Sequence, residues 1–177
     1  MTDAKEYGKA LFLITEEDGT TERVYAEIKS ASSVVKKNPE YEKIIDTPAL
    51  AKEERVGLID EAFSQYSENL VNLMKILAER RSFHLFTKVA DAYLAFYNEA
   101  RGIEDVEAVT SIPLSPEQTA ALAKKLGTLT GKTIVVHNTV DASILGGMKL
   151  RYSGIQLDGS VKTRLDKFEA ALKDTVL

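Results

Sequence analysis

Residues 141–165, DASILGGMKLRYSGIQLDGSVKTRL, decide the fold class of this chain. Apolar and polar residues alternate from Met148 to Tyr152 and again from Ile155 to Leu157, which is the period of a β-strand. The dipeptide Ser153-Gly154 between the two runs is typical of a turn. The stretch therefore predicts two short strands joined by a tight connection.

An amphipathic helix is predicted directly after these strands. Asp158-Gly159-Ser160 interrupts the second strand and offers side-chain oxygens that can cap the N–H groups of a first helical turn. The apolar residues that follow have helical spacing and form one stripe: Val161, Leu165, Phe168 and Leu172. We expect Phe168 and Leu172 to pack this last helix onto a strand around Ile134 and Val136.

The residues before this stretch complete a small αβ domain, which we predict to span 105–177. Alternation from Val106 to Ile112 indicates a strand. Ser115-Pro-Glu-Gln118 is a capping box with proline at the first helical position, and a helix is expected from there to Gly131. The β-branched run of residues 133–137, TIVVH, is typical of a central strand.

Residues 1–104 have a different pattern, which predicts an antiparallel bundle of six short helices. Apolar residues recur at helical spacing in six segments that are separated by short turn or cap sequences. Asn38-Pro39 ends the second helix, Thr47-Pro48 is read as the cap of the fourth, and Ser67 and Ser82 as the caps of the fifth and sixth. The predicted fold class is therefore α+β, with the helical bundle followed by the αβ domain.

The first predicted helix, residues 3–17, is apolar around more than half of its circumference. Tyr7, Leu11 and Ile14 lie near the middle of its apolar arc, and Ala10 and Leu13 lie to one side. A helix that packs against one core needs a narrower stripe. Two interpretations remain open: the helix is buried on several sides in its own bundle, or it keeps a second apolar face for a partner helix.

Composition excludes several classes of protein. The chain has 177 residues, of which 44% are hydrophobic and 28% charged, as in soluble globular domains. It has no cysteine, which excludes disulfides and thiolate metal sites. The formal net charge of -4 argues against general nucleic-acid binding. The N-terminal sequence does not have the pattern of a signal peptide, and no run of residues is apolar for the length of a membrane span.

Charge is unevenly distributed along the chain. Residues 1–105 have an excess of acidic side chains, and residues 106–177 have an excess of basic ones. The imbalance is compatible with chance. It is equally compatible with two domains that face different partners.

Motifs for catalysis are weak. Gly127-Thr-Leu-Thr-Gly131-Lys132 resembles a phosphate-binding loop but has three residues between its glycines where four are needed, and it follows a predicted helix instead of a strand. His84 and His137 lie in different predicted domains, and neither has a carboxylate at zinc-ligand spacing. Lys162 and Arg164 beside the cap at 158–160 allow an anion site, although the cap alone explains these residues. We predict no cofactor and no metal.

Taken together, four motifs identify a family. The chain resembles the delta subunit of bacterial F-type ATP synthases, the counterpart of the mitochondrial oligomycin sensitivity-conferring protein. The resemblance runs over essentially the whole chain, and its motifs are Tyr7-Gly-Lys-Ala-Leu-Phe12, residues 72–80 (NLMKILAER), residues 111–118 (SIPLSPEQ), and residues 140–147 (VDASILGG) followed by 155–161 (IQLDGSV). The chain departs from the family pattern at residues 79–82, ERRS, and at Gln156-Leu157.

The resemblance implies a structural subunit of the outer stalk with no enzymatic activity of its own. The N-terminal domain would hold the N-terminal helices of alpha subunits of the catalytic head, and the C-terminal domain would hold the b-subunit dimer, so that the stalk resists rotor torque. The location implied is the cytoplasmic side of the cell membrane, with only indirect membrane contact and no nucleotide or nucleic acid. The residues expected at the alpha-binding surface are Tyr7, Ala10, Leu11, Ile14, Leu73 and Ile76.

Two other hypotheses compete with the stator. One is a small nucleotide-dependent enzyme that uses Lys132, and ATP binding by the isolated chain would distinguish it. The other is an unrelated helical scaffold, which the combination of motifs at residues 140–161 argues against.

Overall fold

The computed structural model of the chain describes residues 2–144, 146–152 and 155–159. The chain divides into two compact units, Met1–Ala100 and Arg101–Leu177. The first is helical and the second contains a helix and a four-stranded sheet, which confirms the predicted α+β class. The division lies four residues before the predicted boundary between 104 and 105.

The first unit consists of helices joined by short connections. They are α1 (Thr2–Glu17), α2 (Thr21–Lys37), α3 (Pro39–Asp46), α4 (Lys52–Phe63), α5 (Glu68–Glu79), a 3-10 helix (Phe83–Leu85) and α6 (Phe86–Ala100). Their positions follow the apolar stripes of the sequence, because each helix turns its stripe toward a shared interior.

The predicted cap at Thr47-Pro48 is wrong. Helix α4 begins later, at Lys52, and Thr47 instead follows the end of α3. The first turn of α4 is held by Glu54, whose Oε2 accepts a hydrogen bond of 2.7 Å from the backbone N–H of Ala51. Ser67 does precede α5, but its hydroxyl makes no capping hydrogen bond.

The core of the first unit is rich in aromatic side chains. Phe83, Phe86 and Tyr93 are fully buried, and the rings of Phe83 and Phe86 stack with their centroids 5.6 Å apart. The Tyr93 hydroxyl lies 3.1 Å from the Thr15 hydroxyl, so its polar end is satisfied inside the core. These large aromatic side chains and the buried aliphatic residues around them together stabilise this unit.

The second unit has the strand order β2-β1-β3-β4. Its elements are β1 (Ile103–Thr110), α7 (Pro116–Thr130), β2 (Thr133–Val140), β3 (Met148–Tyr152) and β4 (Ile155–Asp158). Strands β1 and β2 are parallel, with Val106 opposite Val136, and the β1–β3 and β3–β4 pairs are antiparallel. The two strands predicted from residues 148–157 are therefore confirmed, whereas the amphipathic helix predicted after them lies outside the described residues.

Residues 133–137 form a strand as predicted, but the prediction that this strand lies in the centre of the sheet is wrong. β2 lies at an edge of the sheet, and β1 lies inside it. The β-branched run correctly predicts a strand, but it does not determine how many neighbours that strand has, and most β2 side chains are exposed.

Local signals around α7 are confirmed. The Ser115 hydroxyl accepts a hydrogen bond from the Gln118 N–H at 3.2 Å, and the Gln118 side chain accepts one from the Ser115 N–H at 2.9 Å. Gly131 ends the helix in the left-handed conformation at φ 70°. The near-match to a phosphate-binding loop therefore lies at a helix C-terminus, where N–H groups do not converge on an anion.

Candidate functional site: the groove between α1 and α5

Helices α1 and α5 lie side by side in opposite directions and are joined by a polar contact at each end. Arg80 donates a hydrogen bond of 2.9 Å from Nη1 to the Tyr7 hydroxyl. At the other end Asn69 donates one of 2.9 Å from Nδ2 to a carboxylate oxygen of Asp18. Eleven residues separate the two contacts on each helix. At 1.5 Å per residue, the seam between them is about 16 Å long.

Apolar side chains fill the seam between these contacts. Ile14 of α1 is 47% exposed and Ile76 of α5 is 43% exposed, and Ala10 is exposed beside them. Leu11 and Leu73 lie below, buried to 4% and 6% exposure. We call this surface the α1–α5 groove and define it by the sequence-predicted residues: Tyr7, Ala10, Leu11, Ile14, Leu73 and Ile76.

The six predicted residues thus lie on the facing sides of two adjacent helices, but at different depths. Leu11 and Leu73 belong to the core of the unit and form only the floor of the groove. Ala10, Ile14 and Ile76 form its exposed walls. Tyr7 is half-buried and closes one end through its contact with Arg80. A helical wheel gives the direction of each side chain but not its depth, which explains why the sequence did not separate floor from walls.

Leu13 is an additional apolar residue at the edge of this groove. It is 55% exposed and lies on α1 one turn from Ala10. Together with the exposure of Ile14, it shows that part of the apolar arc of the first helix faces solvent. The helix also contacts α2, α5 and α6, so both interpretations describe part of its surface.

Gly8 positions α1 against α6. A Cβ atom at Gly8 would lie 2.7 Å from the Cβ of Ala92 and 2.9 Å from the backbone nitrogen of Tyr93. These distances are shorter than van der Waals contact, so only glycine allows the helices to approach this closely. The close contact sets which face of α1 points toward α5.

Arg55 holds α5, the second wall of the groove, in place, and the sequence analysis did not identify this residue. Its side chain is buried and donates hydrogen bonds to the carbonyl oxygens of Ala78 at 2.9 Å, Glu79 at 3.2 Å and Leu50 at 2.6 Å. It therefore satisfies carbonyl groups at the end of α5, directly before Arg80. The available signal was an arginine four residues before Ile59 in an otherwise apolar stripe.

The chemistry of the groove is that of a contact surface. Within residues 2–144, 146–152 and 155–159, no three His, Cys, Asp or Glu side chains are placed to hold a metal ion. The same part of the chain contains no helix that combines the length and the apolar character needed to cross a bilayer. Lys132, the residue of the nucleotide hypothesis, pairs with Glu104 at 2.5 Å in the second unit.

Comparison with known proteins agrees with the motifs. Residues 4–172 match the family model of the ATP synthase delta (OSCP) subunit. The chain is 31% identical over 175 residues to an ATP synthase subunit delta of Clostridioides difficile (strain 630), covering 98% of this chain and 97% of that one. It is 32% identical over 170 residues to an ATP synthase subunit delta of Geobacillus sp. (strain WCH70), covering 96% of each.

A solved structure has a similar fold. A chain in the cryo-EM structure of the Toxoplasma gondii mitochondrial ATP synthase hexamer matches with a TM-score of 0.72 and 26% identity, covering 96% of each chain. The similarity extends over both units. The chain therefore belongs to the ATP synthase delta (OSCP) subunit family and is a non-catalytic stator component of the peripheral stalk.

Proposed function

We propose that the first unit binds the N-terminal helices of alpha subunits through the α1–α5 groove. The observation that carries this proposal is the exposure of Ile14 and Ile76 between two polar contacts about 16 Å apart, a length of about three helical turns. An amphipathic helix placed there buries its apolar stripe on both walls. In this proposal the six helices of residues 1–104 act as one antiparallel bundle, which transmits force from the head.

The second unit, in the same proposal, binds the b-subunit dimer. Support comes from an apolar depression of about 500 Å³ between α7 and β3, lined by Leu122, Leu126, Leu129, Met148 and Leu150. Leu129 is 75% exposed. A surface of this kind is typical of a site that another chain covers.

Two contacts on separate units would make the chain a mechanical link. Torque from the rotor acts on the head, and the stalk prevents the head from turning with it.

The chain would then lie on the cytoplasmic side of the cell membrane and contact the bilayer only through other subunits. Low ionic strength with a chelator should release it together with the catalytic head, and retention in the bilayer after removal of the other stalk subunits would contradict this location.

The test is calorimetric titration of the full chain with a synthetic peptide of the N-terminal helix of the alpha subunit from the same organism. Ala10→Asp and Ile76→Asp each place a carboxylate in the apolar contact, so we expect binding to be lost. The matched control is Val34→Asp, which changes an equally exposed residue of α2 outside the groove and should bind normally. Circular dichroism should show unchanged helicity in all three variants. Normal binding by folded Ile76→Asp would contradict the proposed surface.

A further inference from the structure

The two ends of the α1–α5 groove carry opposite charge. At the end marked by the Asp18–Asn69 contact, Glu17, Asp18 and Glu68 are all exposed. At the end marked by the Tyr7–Arg80 contact, Arg80 and Arg81 are exposed. The groove therefore has an acidic end and a basic end about 16 Å apart, which is farther than the Debye length of about 8 Å at physiological ionic strength.

The basic end also contains a depression and one carboxylate. Glu6, Tyr7, Ala10, Arg80, Ser82 and Leu85 line a cavity of about 480 Å³ there. The Glu6 carboxylate and the Arg80 guanidinium both line it, and Arg81 follows Arg80 in the chain outside the lining. Since Glu79 is paired with Lys52 at 3.0 Å, the two arginines and Glu6 leave one excess positive charge at this end. Space and charge at this end therefore suit an acidic side chain of a bound helix.

Arg81 is held in an unfavourable backbone conformation at this position. Its φ is 53°, in the left-handed region, and it is the one non-glycine residue with positive φ in the described part of the chain. Glycine and asparagine adopt this conformation at lower cost. The conformation is that of a helix C-cap, because the Arg81 N–H donates to the carbonyl oxygen of Ala78 at 3.1 Å and the Ser82 N–H donates to that of Leu77 at 2.9 Å.

We propose that the helix bound in the α1–α5 groove carries acidic residues in its N-terminal turn and basic residues in its C-terminal turn, and that it lies parallel to α1. This inference rests on the proposed function of the groove. Acidic residues at the N-terminus would face Arg80 and Arg81, and basic residues at the C-terminus would face Glu17, Asp18 and Glu68. The same distribution stabilises a helix through its own dipole, so the bound peptide satisfies both requirements in only one direction.

Charge reversal tests the first part of the inference. The probe is the alpha N-terminal peptide described above, titrated at low and at high salt. For Arg80→Glu/Arg81→Glu we expect binding to weaken roughly tenfold at low salt, since attraction becomes repulsion at two exposed sites, and the loss should shrink at high salt. Glu17→Lys/Glu68→Lys should weaken binding similarly. The control Lys29→Glu/Lys37→Glu makes the same change of charge as Arg80→Glu/Arg81→Glu at two exposed residues of α2 and should bind like the wild type.

Arg81→Gly distinguishes the effect of the Arg81 charge on peptide binding from an effect of this residue on the stability of the fold. Glycine relieves the backbone strain, so the melting temperature should stay the same or rise, while peptide binding weakens by roughly twofold through loss of one exposed charge. A purely structural role for Arg81 would leave binding unchanged. Equal affinity of the charge-reversed and wild-type proteins at low salt would overturn the proposal.

Paramagnetic relaxation tests the direction of the bound helix. A nitroxide is attached to a cysteine at either end of the peptide, and the amide signals of the isotope-labelled full chain are recorded. A label at the peptide's N-terminus should broaden the signals of Arg81 and Ser82, and a label at its C-terminus those of Asp18 and Asn69. The reverse pattern would overturn the proposed direction. If the wild-type chain does not bind the peptide at all, the proposed function itself fails, and that outcome is distinguishable from either result above.

Discussion

The two units of this chain differ in how completely they bury their own apolar surface. In the first unit Phe83, Phe86 and Tyr93 are fully buried. In the second, α7 has no buried residue among those that the structure describes, and Leu129 and Leu157 are 75% and 56% exposed. Among the described residues, the first unit therefore buries more and larger apolar side chains than the second. The second unit has a smaller buried set, which includes Val106 and Ala108 of β1.

This difference suits a link between two parts of a stalk. A rigid unit can present a groove with fixed walls, because the residues beneath the groove belong to a close-packed core. A unit with exposed apolar side chains gains stability when a partner covers them. We expect the two units to respond differently to the same kind of substitution.

The largest effect is expected for truncation in the aromatic core. Phe86→Ala should lower the free energy of unfolding of the first unit by about 3–5 kcal/mol, because the ring is fully buried. Leu129→Ala in the second unit removes an exposed side chain and should change stability by less than about 0.5 kcal/mol. Unfolding in urea, monitored by hydrogen exchange, would report the free energy of unfolding of each unit separately. Similar losses in both variants would remove the distinction between the units.

Removal of the buried guanidinium of Arg55 is expected to have the next largest effect. Arg55→Leu leaves the carbonyl groups of Ala78 and Glu79 without these donors, which should cost about 2–3 kcal/mol. Arg23→Leu is the matched control, since the Arg23 side chain is exposed and its ion pair with Glu27 contributes about 1 kcal/mol or less. Denaturant titration of both variants is the measurement. An Arg55 variant as stable as the control would show that α5 does not need this contact.

Substitution of Gly8 is expected to have a smaller effect on stability, and substitution of Gly57 provides an internal control. Gly8→Ala places a methyl group 2.7 Å from Ala92 and should destabilise the first unit by about 1–3 kcal/mol. Gly57→Ala lies in α4 with no atom within 4 Å of the new methyl group, so it should stabilise the unit by about 0.5–1 kcal/mol. The two melting temperatures should move in opposite directions. If Gly8→Ala also raised the melting temperature, α1 and α6 would have to move apart easily to accommodate the methyl group.

The smallest effect concerns the pH dependence of the first unit. Burial raises the pKa of the Glu27 carboxyl, but the interaction with Ser67, whose backbone N–H donates a hydrogen bond of 2.7 Å to Oε2, and that with Arg23 outweigh it, so its pKa lies below the ordinary value of 4.5. A lowered folded-state pKa means that this stabilisation is complete above about pH 4.5 and is lost as pH falls through the folded-state value. Glu27→Gln should therefore flatten the acid limb of a stability–pH curve. An unchanged acid limb would show that the Ser67 contact does not stabilise the fold.

Local sequence signals predicted much of the fold. The strands β3 and β4, the capping box at Ser115 and the left-handed Gly131 all follow from short patterns, because alternation, capping and glycine conformation are properties of neighbouring residues. The edge position of β2 depends on contacts between distant residues, which no local pattern encodes. The start of α4 at Lys52 instead involves a local contact that the sequence analysis did not use, the hydrogen bond from the Ala51 N–H to Glu54.

The candidate site was predicted in outline from helical periodicity together with the family resemblance, which implied that residues of the first and fifth helices share one binding surface. Helical periodicity located Tyr7, Ala10, Ile14 and Ile76 on the apolar faces of two helices. It could not show that Arg55 holds one wall, nor that Gly8 fixes the orientation of α1, because both act through tertiary packing. The opposite charges at the groove ends become visible only when the antiparallel alignment of α1 and α5 is known.

The most direct test of the central claim is a nuclear magnetic resonance titration of the isotope-labelled full chain with the alpha N-terminal peptide. If the first unit supplies a rigid groove, chemical-shift changes should be confined to α1 and α5 and centred on Ala10, Ile14 and Ile76. Signals of the second unit should not move. Changes centred on α7 or β3, or spread over the whole first unit, would contradict the account.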